Sequence, residues 1–131
     1  MPSLWAIMFD CNELNDEGLA SLAGVLPNLS FLSLVNNRIT DKGLESLLAN
    51  NMLCKSLEGL DLRRNLISDA GCATFVSALQ SGRFPSLKVL TLADNEASDA
   101  AVQAVQDALE AAIAANDRGE VTEGVVRWAT S

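Results

Sequence analysis

The stretch LEGLDLRRNLISDAG, residues 57–71, carries two structural signals back to back. In its first nine residues Leu57, Leu60 and Leu62 hold places one, four and six, and Asn65 closes the phrase. Apolar residues two apart are what an extended strand needs to turn one face inward. In the second part Ser68 stands three places after Asn65 and Asp69 four places after it. Serine is a good helix N-cap, and an acid in the first turn complements the positive end of the helix dipole. The stretch therefore reads strand, turn, capped helix. Working outward, the nine-residue phrase recurs as LWAIMFDCN (4–12), LSFLSLVNN (29–37) and LKVLTLADN (87–95). Its closing residues Asn12, Asn37, Asn65 and Asn95 are spaced by 25, 28 and 30 residues. Self-similarity at that period predicts a stacked solenoid.

The segments after each asparagine, NELNDEG, NRITDKG, NLISDAG and NEASDAA, align as well as the phrases do. Place three holds Asn15, Thr40, Ser68 and Ser98; place four holds Asp16, Asp41, Asp69 and Asp99; place six holds Gly18, Gly43, Gly71 and Ala101. This repeated pattern resembles the leucine-rich repeat family, and the long periods resemble its ribonuclease-inhibitor-like subfamily. The resemblance implies an α/β solenoid, a short right-handed horseshoe arc with a parallel sheet on the concave side and helices on the convex side. It implies one domain, 1–131, of about four repeats (4–28, 29–56, 57–86, 87–117) with a capping tail at 118–131. The asparagines are expected to form a ladder that satisfies backbone groups where the chain leaves the sheet. The aspartates are expected to serve helix-start electrostatics, and the small residue at place six to let each helix approach the strand layer.

Helical spacing puts Leu44, Leu47 and Leu48 on one face, and Cys72, Phe75, Val76 and Leu79 on another. In the alanine-rich last helix, roughly 99–115, Val102, Val105, Leu109 and Ile113 make the apolar stripe, and Gln103, Gln106, Asp107 and Glu110 are expected to face away. The first phrase begins three residues after Met1 with no capping segment, leaving Leu4, Ile7 and Phe9 uncovered. An open strand edge with apolar neighbours invites pairing, so a partner at this edge or a longer array is expected. In the tail, Val121, Val125, Val126 and Trp128 are expected to close the last repeat or to dock elsewhere.

Composition narrows the function. The net charge is −8, which opposes binding to nucleic-acid phosphates and to anionic membranes. No apolar run approaches the ~20 residues of a membrane span, and no secretory signal is visible. Cys11, Cys54 and Cys72 are an odd set without close spacing, pointing to reduced thiols and a cytoplasmic setting, cytoskeleton-associated if the chain is an assembly subunit. Cys72 is expected in the core and Cys54 in a loop. With no histidine and no tyrosine, the chain offers no general base of the usual kind, no metal set and no cofactor motif, so no enzyme is expected.

Residues between the leucines point to the concave surface. Its first half is apolar (Trp5, Met8, Phe31, Val35) and its second half charged (Glu58, Asp61, Arg63, Arg64, Lys88, Asp94). Exposed aromatics beside arginines are the residue types of protein hot spots. Partner contact is thus expected at Trp5, Met8, Phe31, Val35, Asp61, Arg63, Arg64, Lys88 and Asp94, making the chain an interaction module for a protein or peptide. The alternative is a structural subunit of a larger assembly docked through the N-terminal edge and the tail. A third reading, regulation of a GTPase, comes only from resemblance to the much longer Ran GTPase-activating proteins, none of whose functional residues can be placed here.

Overall fold

Places three to five of each phrase form the strands: β1 (Ala6–Met8), β2 (Phe31–Ser33), β3 (Gly59–Asp61) and β4 (Val89–Thr91). The computed structural model describes residues 6–10, 13–24, 26 and 29–116; Trp5, Cys11, Asn12 and the tail residues Val121, Val125, Val126 and Trp128 lie outside them. The strands pair in chain order as one parallel sheet, with Ile7, Leu32, Leu60 and Leu90 in a single row. Place four is therefore the register position. Side chains alternate across a strand, so this row points inward, and Leu32, Leu60 and Leu90 are fully buried.

Between strands lie α1 (Asp16–Ala23), α2 (Asp41–Leu48), the short α3 (Asn51–Ser56), α4 (Asp69–Gln80) and α5 (Asp99–Ala115). The four helices that follow the asparagine turns are capped by Asn15, Thr40, Ser68 and Ser98, each side chain accepting a first-turn N–H. Neighbouring helices pack α1 on α2, α2 on α4 and α4 on α5, beside the leucine layer. Each leucine buried in that layer contributes about 1.5–3 kcal/mol. Cys54, expected in a loop, lies instead on α3 and is buried; its helix is started by Asn50, whose Oδ1 accepts from Leu53 N at 3.0 Å. Cys72 is buried in the same core, and burial beside Asp69 and Asp41 pushes its thiol up to about 11.

Two side-chain ladders tie the repeats together. The first is the asparagine ladder. Asn65 accepts from Ile39 N at 3.0 Å and donates Nδ2 to Leu34 O at 2.8 Å and Leu62 O at 3.1 Å. Asn37 and Asn95 repeat the pattern, accepting from Leu14 N at 2.8 Å and Ile67 N at 2.9 Å. Each of these asparagines thus reaches back one repeat, taking an N–H that would otherwise be left without a partner, and the carbonyls of Leu34 and Leu62 are each shared by two of them.

The second ladder runs forward and is built from the aspartates. Asp16 accepts from the N–H and hydroxyl of Thr40, and Asp41 from the N–H and hydroxyl of Ser68. These carboxylates therefore bridge repeats, beyond the helix-start role expected of them. The place-six glycines make room for this bridge. A Cβ at Gly43 would overlap Asp16 Oδ1, and one at Gly71 would overlap Asp41 Oδ1. In the fourth repeat, where Ala101 replaces glycine, the Ser98 hydroxyl sits 3.2 Å from Asp69 Oδ2. Its oxygen caps the N–H of Ala101, three residues on, whereas Thr40 and Ser68 cap two residues on.

The last helix departs from the expected stripe at one residue. Gln106 does not face away. It is 6% exposed, and its Nε2 donates to Leu90 O at 2.7 Å. The reason is its position beside β4, whose outer edge meets no further strand among the described residues, so the amide takes up an edge carbonyl.

Candidate binding face

Parallel register sorts the concave side chains into rows. Place three gives Ala6, Phe31, Gly59 and Val89; place five gives Met8, Ser33, Asp61 and Thr91. The place-five row is unequal. Met8 is 66% exposed, whereas Ser33, Asp61 and Thr91 are nearly closed to solvent. Asp61, expected as an accessible partner contact, is 3% exposed and its carboxylate is fully engaged. Arg63 grips it with Nε at 2.9 Å and Nη2 at 2.7 Å, and Thr91 donates its hydroxyl at 2.7 Å from the next strand. Alternation across the strand placed this side chain outward correctly; the guanidinium folding over it supplies the burial. Desolvation raises the Asp61 carboxyl, but the hydrogen bonds from Arg63 and Thr91 outweigh it and hold the group below its ordinary value. The hydrogen bond to Asp61 in turn raises Arg63.

Asp10 repeats the theme at the other end of the face. Its Oδ1 accepts from Ser33 Oγ at 2.5 Å and from Val35 N at 3.1 Å. Sequence reasoning did not single out Asp10 or Thr91. The available signal was an acid at place seven or five with a hydroxyl residue at place five one repeat later.

The apolar residues behave differently. Phe31 lies half-buried across Gly59, so closely that a Cβ there would stand 2.8 Å from Phe31 Cδ1. The glycine is what lets the ring lie flat along the sheet. Val35, Arg63, Arg64, Ala93 and Asp94 together line a shallow hollow of about 360 Å³ at the strand ends. Arg64 and Asp94 face each other across it at 3.7 Å, both well exposed. Of the expected contacts, Val35, Arg63, Arg64 and Asp94 are thus brought together. Phe31 lies on the same face, Met8 projects from β1, Lys88 sits half-buried at place two before β4, and Trp5 is outside the described residues.

The turn after the strands carries a further peculiarity. The place-eight residues Asn36, Arg64 and Asp94 have φ of 62°, 59° and 61°. Asparagine and aspartate visit this left-handed region readily, whereas for other residues it costs about 1–2 kcal/mol. Arg64 is thus held against its backbone preference.

On chemistry, no group of three or more His, Cys, Asp or Glu side chains among the described residues is arranged to hold a metal ion. No described helix is long and apolar enough to cross a membrane.

Comparison with known proteins agrees with this architecture. The family described as Leucine Rich repeat matches residues 25–48 and 53–76. The F-box protein SKIP19 of Arabidopsis thaliana is 33% identical over 97 residues, which are 71% of this chain and 28% of that protein. The chain therefore spans less than a third of that relative's length. Among solved structures, Leiomodin-1 Actin-Binding Site 2 (ABS2) is similar with a TM-score of 0.65, over 80% of this chain and 63% of that one, at 17% identity. That likeness is one of fold. By its repeated phrase, its parallel sheet and these matches, the chain is a leucine-rich repeat protein.

Proposed function

We propose that this chain is a non-enzymatic interaction module whose concave face binds a protein or peptide, within one domain of four repeats of the ribonuclease-inhibitor-like kind. The observation that carries the reading is Arg64. Its exposed guanidinium sits at a backbone position that disfavours arginine, beside the Val35–Asp94 hollow. Residues held in a disfavoured conformation cluster at functional sites, because the cost is tolerated for what the side chain does. The exposed Met8 and the half-buried ring of Phe31 supply apolar contact on the same face. Aromatic and arginine anchors are the side chains that dominate protein interfaces. Arg63 is less suited to direct recognition, because it is tied to Asp61.

The partner would be a protein met in the cytoplasm or on the cytoskeleton. The leiomodin structure named for actin binding makes actin one candidate to include, although 17% identity carries over only the fold. The test is affinity capture from lysate with wild type, Phe31→Ala and Arg64→Asn, followed by titration of each captured protein. Arg64→Asn suits the left-handed turn and is expected to leave stability unchanged or raise it by about 1 kcal/mol. A partner bound at least ~10-fold more weakly by this well-folded variant supports the concave reading. Binding that ignores both substitutions removes it.

A further inference from the structure

The hollow at the strand ends is assembled from successive repeats: Val35 from the second, Arg63 and Arg64 from the third, Ala93 and Asp94 from the fourth. Its backbone is pinned across both junctions. Asn36 N donates to Arg63 O at 2.9 Å, and Arg64 N donates to Ala93 O at 3.0 Å. Val35 N is held by Asp10 Oδ1 at 3.1 Å. The hollow is therefore formed before any partner arrives, which lowers the cost of binding. At about 360 Å³ it lies at the small end of ligand pockets, about 300–1,000 Å³, with room for one large side chain.

The lining decides which side chain. Val35 and Ala93 supply the apolar surface. The charge of Arg63 is already answered by Asp61, which it grips through Nε and Nη2. Arg64 and Asp94 stand 3.7 Å apart, with 66% and 70% of their side chains exposed. An incoming carboxylate that reaches Arg64 also meets Asp94, and an incoming cation that reaches Asp94 also meets Arg64. Either ion gains one attraction, suffers one repulsion and gives up water over the apolar residues. An aliphatic side chain uses only Val35 and Ala93. An aromatic ring uses every wall: its face packs on a guanidinium plane and its edge on the apolar pair. An indole N–H or phenol O–H then finds an acceptor in the Asp94 carboxylate. We infer, building on the concave-face reading, that this hollow takes a tryptophan or tyrosine side chain of the partner, its ring stacked on Arg64 and its N–H or O–H donating to Asp94.

The probe is N-acetyl-tryptophanamide, titrated into the isotope-labelled chain and followed by NMR, with the tyrosine, leucine, glutamate and arginine amides as comparisons. The two aromatic amides are expected to shift the backbone resonances of Val35, Arg64, Ala93 and Asp94 saturably, with Kd of ~1–10 mM for so small a ligand. The other three are expected to bind at least ~3-fold more weakly. Arg64→Asn, which suits the left-handed turn, is expected to weaken the tryptophan amide by about 2- to 5-fold, the share of an exposed cation–π contact. Asp94→Asn keeps both an acceptor and the turn. It is expected to leave the tryptophan amide within ~2-fold while the glutamate amide binds more tightly than before. Equal binding of all the amides, shifts that avoid the hollow, or tryptophan binding indifferent to Arg64→Asn each overturn the inference. So does Trp128→Ala if it alone tightens the tryptophan amide, which would give the hollow to the chain's own tail. Should a captured protein be weakened by Arg64→Asn while no amide reaches the hollow, the concave reading stands and the aromatic anchor falls.

Discussion

The first and third repeats are written in the same phrase yet occupy opposite physical situations. In the third, Leu60, Leu62 and Ile67 are fully buried, and Asn65 is bonded to backbone groups of its own and the preceding repeat. In the first, Ile7, Phe9 and Leu14, at the same places, are half-buried. The sequence pattern is equal, so the difference comes from neighbours: among the described residues the third repeat is packed on both flanks and the first on one. A repeat's stability is thus held largely in its interfaces, as expected for a quasi-one-dimensional array.

The sharpest way to break this comparison is to truncate place four in both repeats. Leu60→Ala removes a side chain enclosed on every side and is expected to cost about 3–4 kcal/mol, including the cavity it leaves. Ile7→Ala removes one already partly in water and is expected to cost about 1 kcal/mol. Denaturant unfolding measures both. Equal losses would mean that the first repeat is as enclosed as the third, and the contrast between the two would disappear.

The polar ladder should show its own large effect. Asn65→Ala strips the acceptor from Ile39 N–H and removes one of two amide donors from the carbonyls of Leu34 and Leu62, which keep Asn37 and Asn95. Stranding one buried N–H costs about 1–3 kcal/mol and each lost carbonyl bond about 0.5–1 kcal/mol more, so a total loss near 3 kcal/mol is expected in the same experiment. A loss below about 1 kcal/mol would mean that water replaces the amide, and that the ladder follows from the fold more than it holds it.

Much of this architecture was legible before any coordinates, for a definite reason. Place four is at once the core position and the sheet register, so four aligned phrases give strand, pairing and inner face together. The asparagine column was legible because the partners of Asn37, Asn65 and Asn95 lie at matching places in the repeat. Three features were not. The forward bond from Asp16 to Thr40 is invisible to a reading that treats one repeat at a time, since a helix-start acid already has a sufficient local explanation. The burial of Asp61 depends on Arg63 folding over it and on Thr91 one repeat away. Gln106 turns inward because β4 has an edge to satisfy, which helical spacing does not encode. The concave contacts were half legible: strand alternation found the face, but not which of its side chains were already spoken for.

The aspartate bridge offers a third comparison, between the third and fourth repeats. Gly71→Ala brings a Cβ into Asp41 Oδ1 and to 2.7 Å from Ile67 Cγ2. It is expected to cost about 2 kcal/mol by overpacking, even though alanine is the better helix former. The converse change, Ala101→Gly, relaxes a repeat that has already adapted its cap. Its lower helix propensity of about 1 kcal/mol is expected to be partly offset by a closer Ser98–Asp69 contact, leaving a net effect below 1 kcal/mol. If both substitutions cost the same, the glycine column reflects helix packing in general and has no special link to the carboxylate.

The smallest effect is also the one with the clearest sign. Asp61 titrates below its ordinary value because the bonds from Arg63 and Thr91 outweigh the desolvation that opposes them. A carboxylate whose folded pKa is depressed stabilises fully above its unfolded value, about 3.9, and loses that contribution as pH falls through the folded value. Asp61→Asn is therefore expected to cost about 1–2 kcal/mol at pH 7 and progressively less as pH falls below about 3.9, where the unfolded chain takes up the proton before the folded carboxylate does. Asp94→Asn serves as the contrast. Its pair with Arg64 is long and exposed, so its removal is expected to change stability by less than about 0.5 kcal/mol at neutral pH. Thermal melts from pH 2.5 to 7 decide between them. If the Asp61→Asn deficit stays constant across that range, the loss is one of packing, and the carboxylate that looks like the polar keystone of the concave face is only filling space.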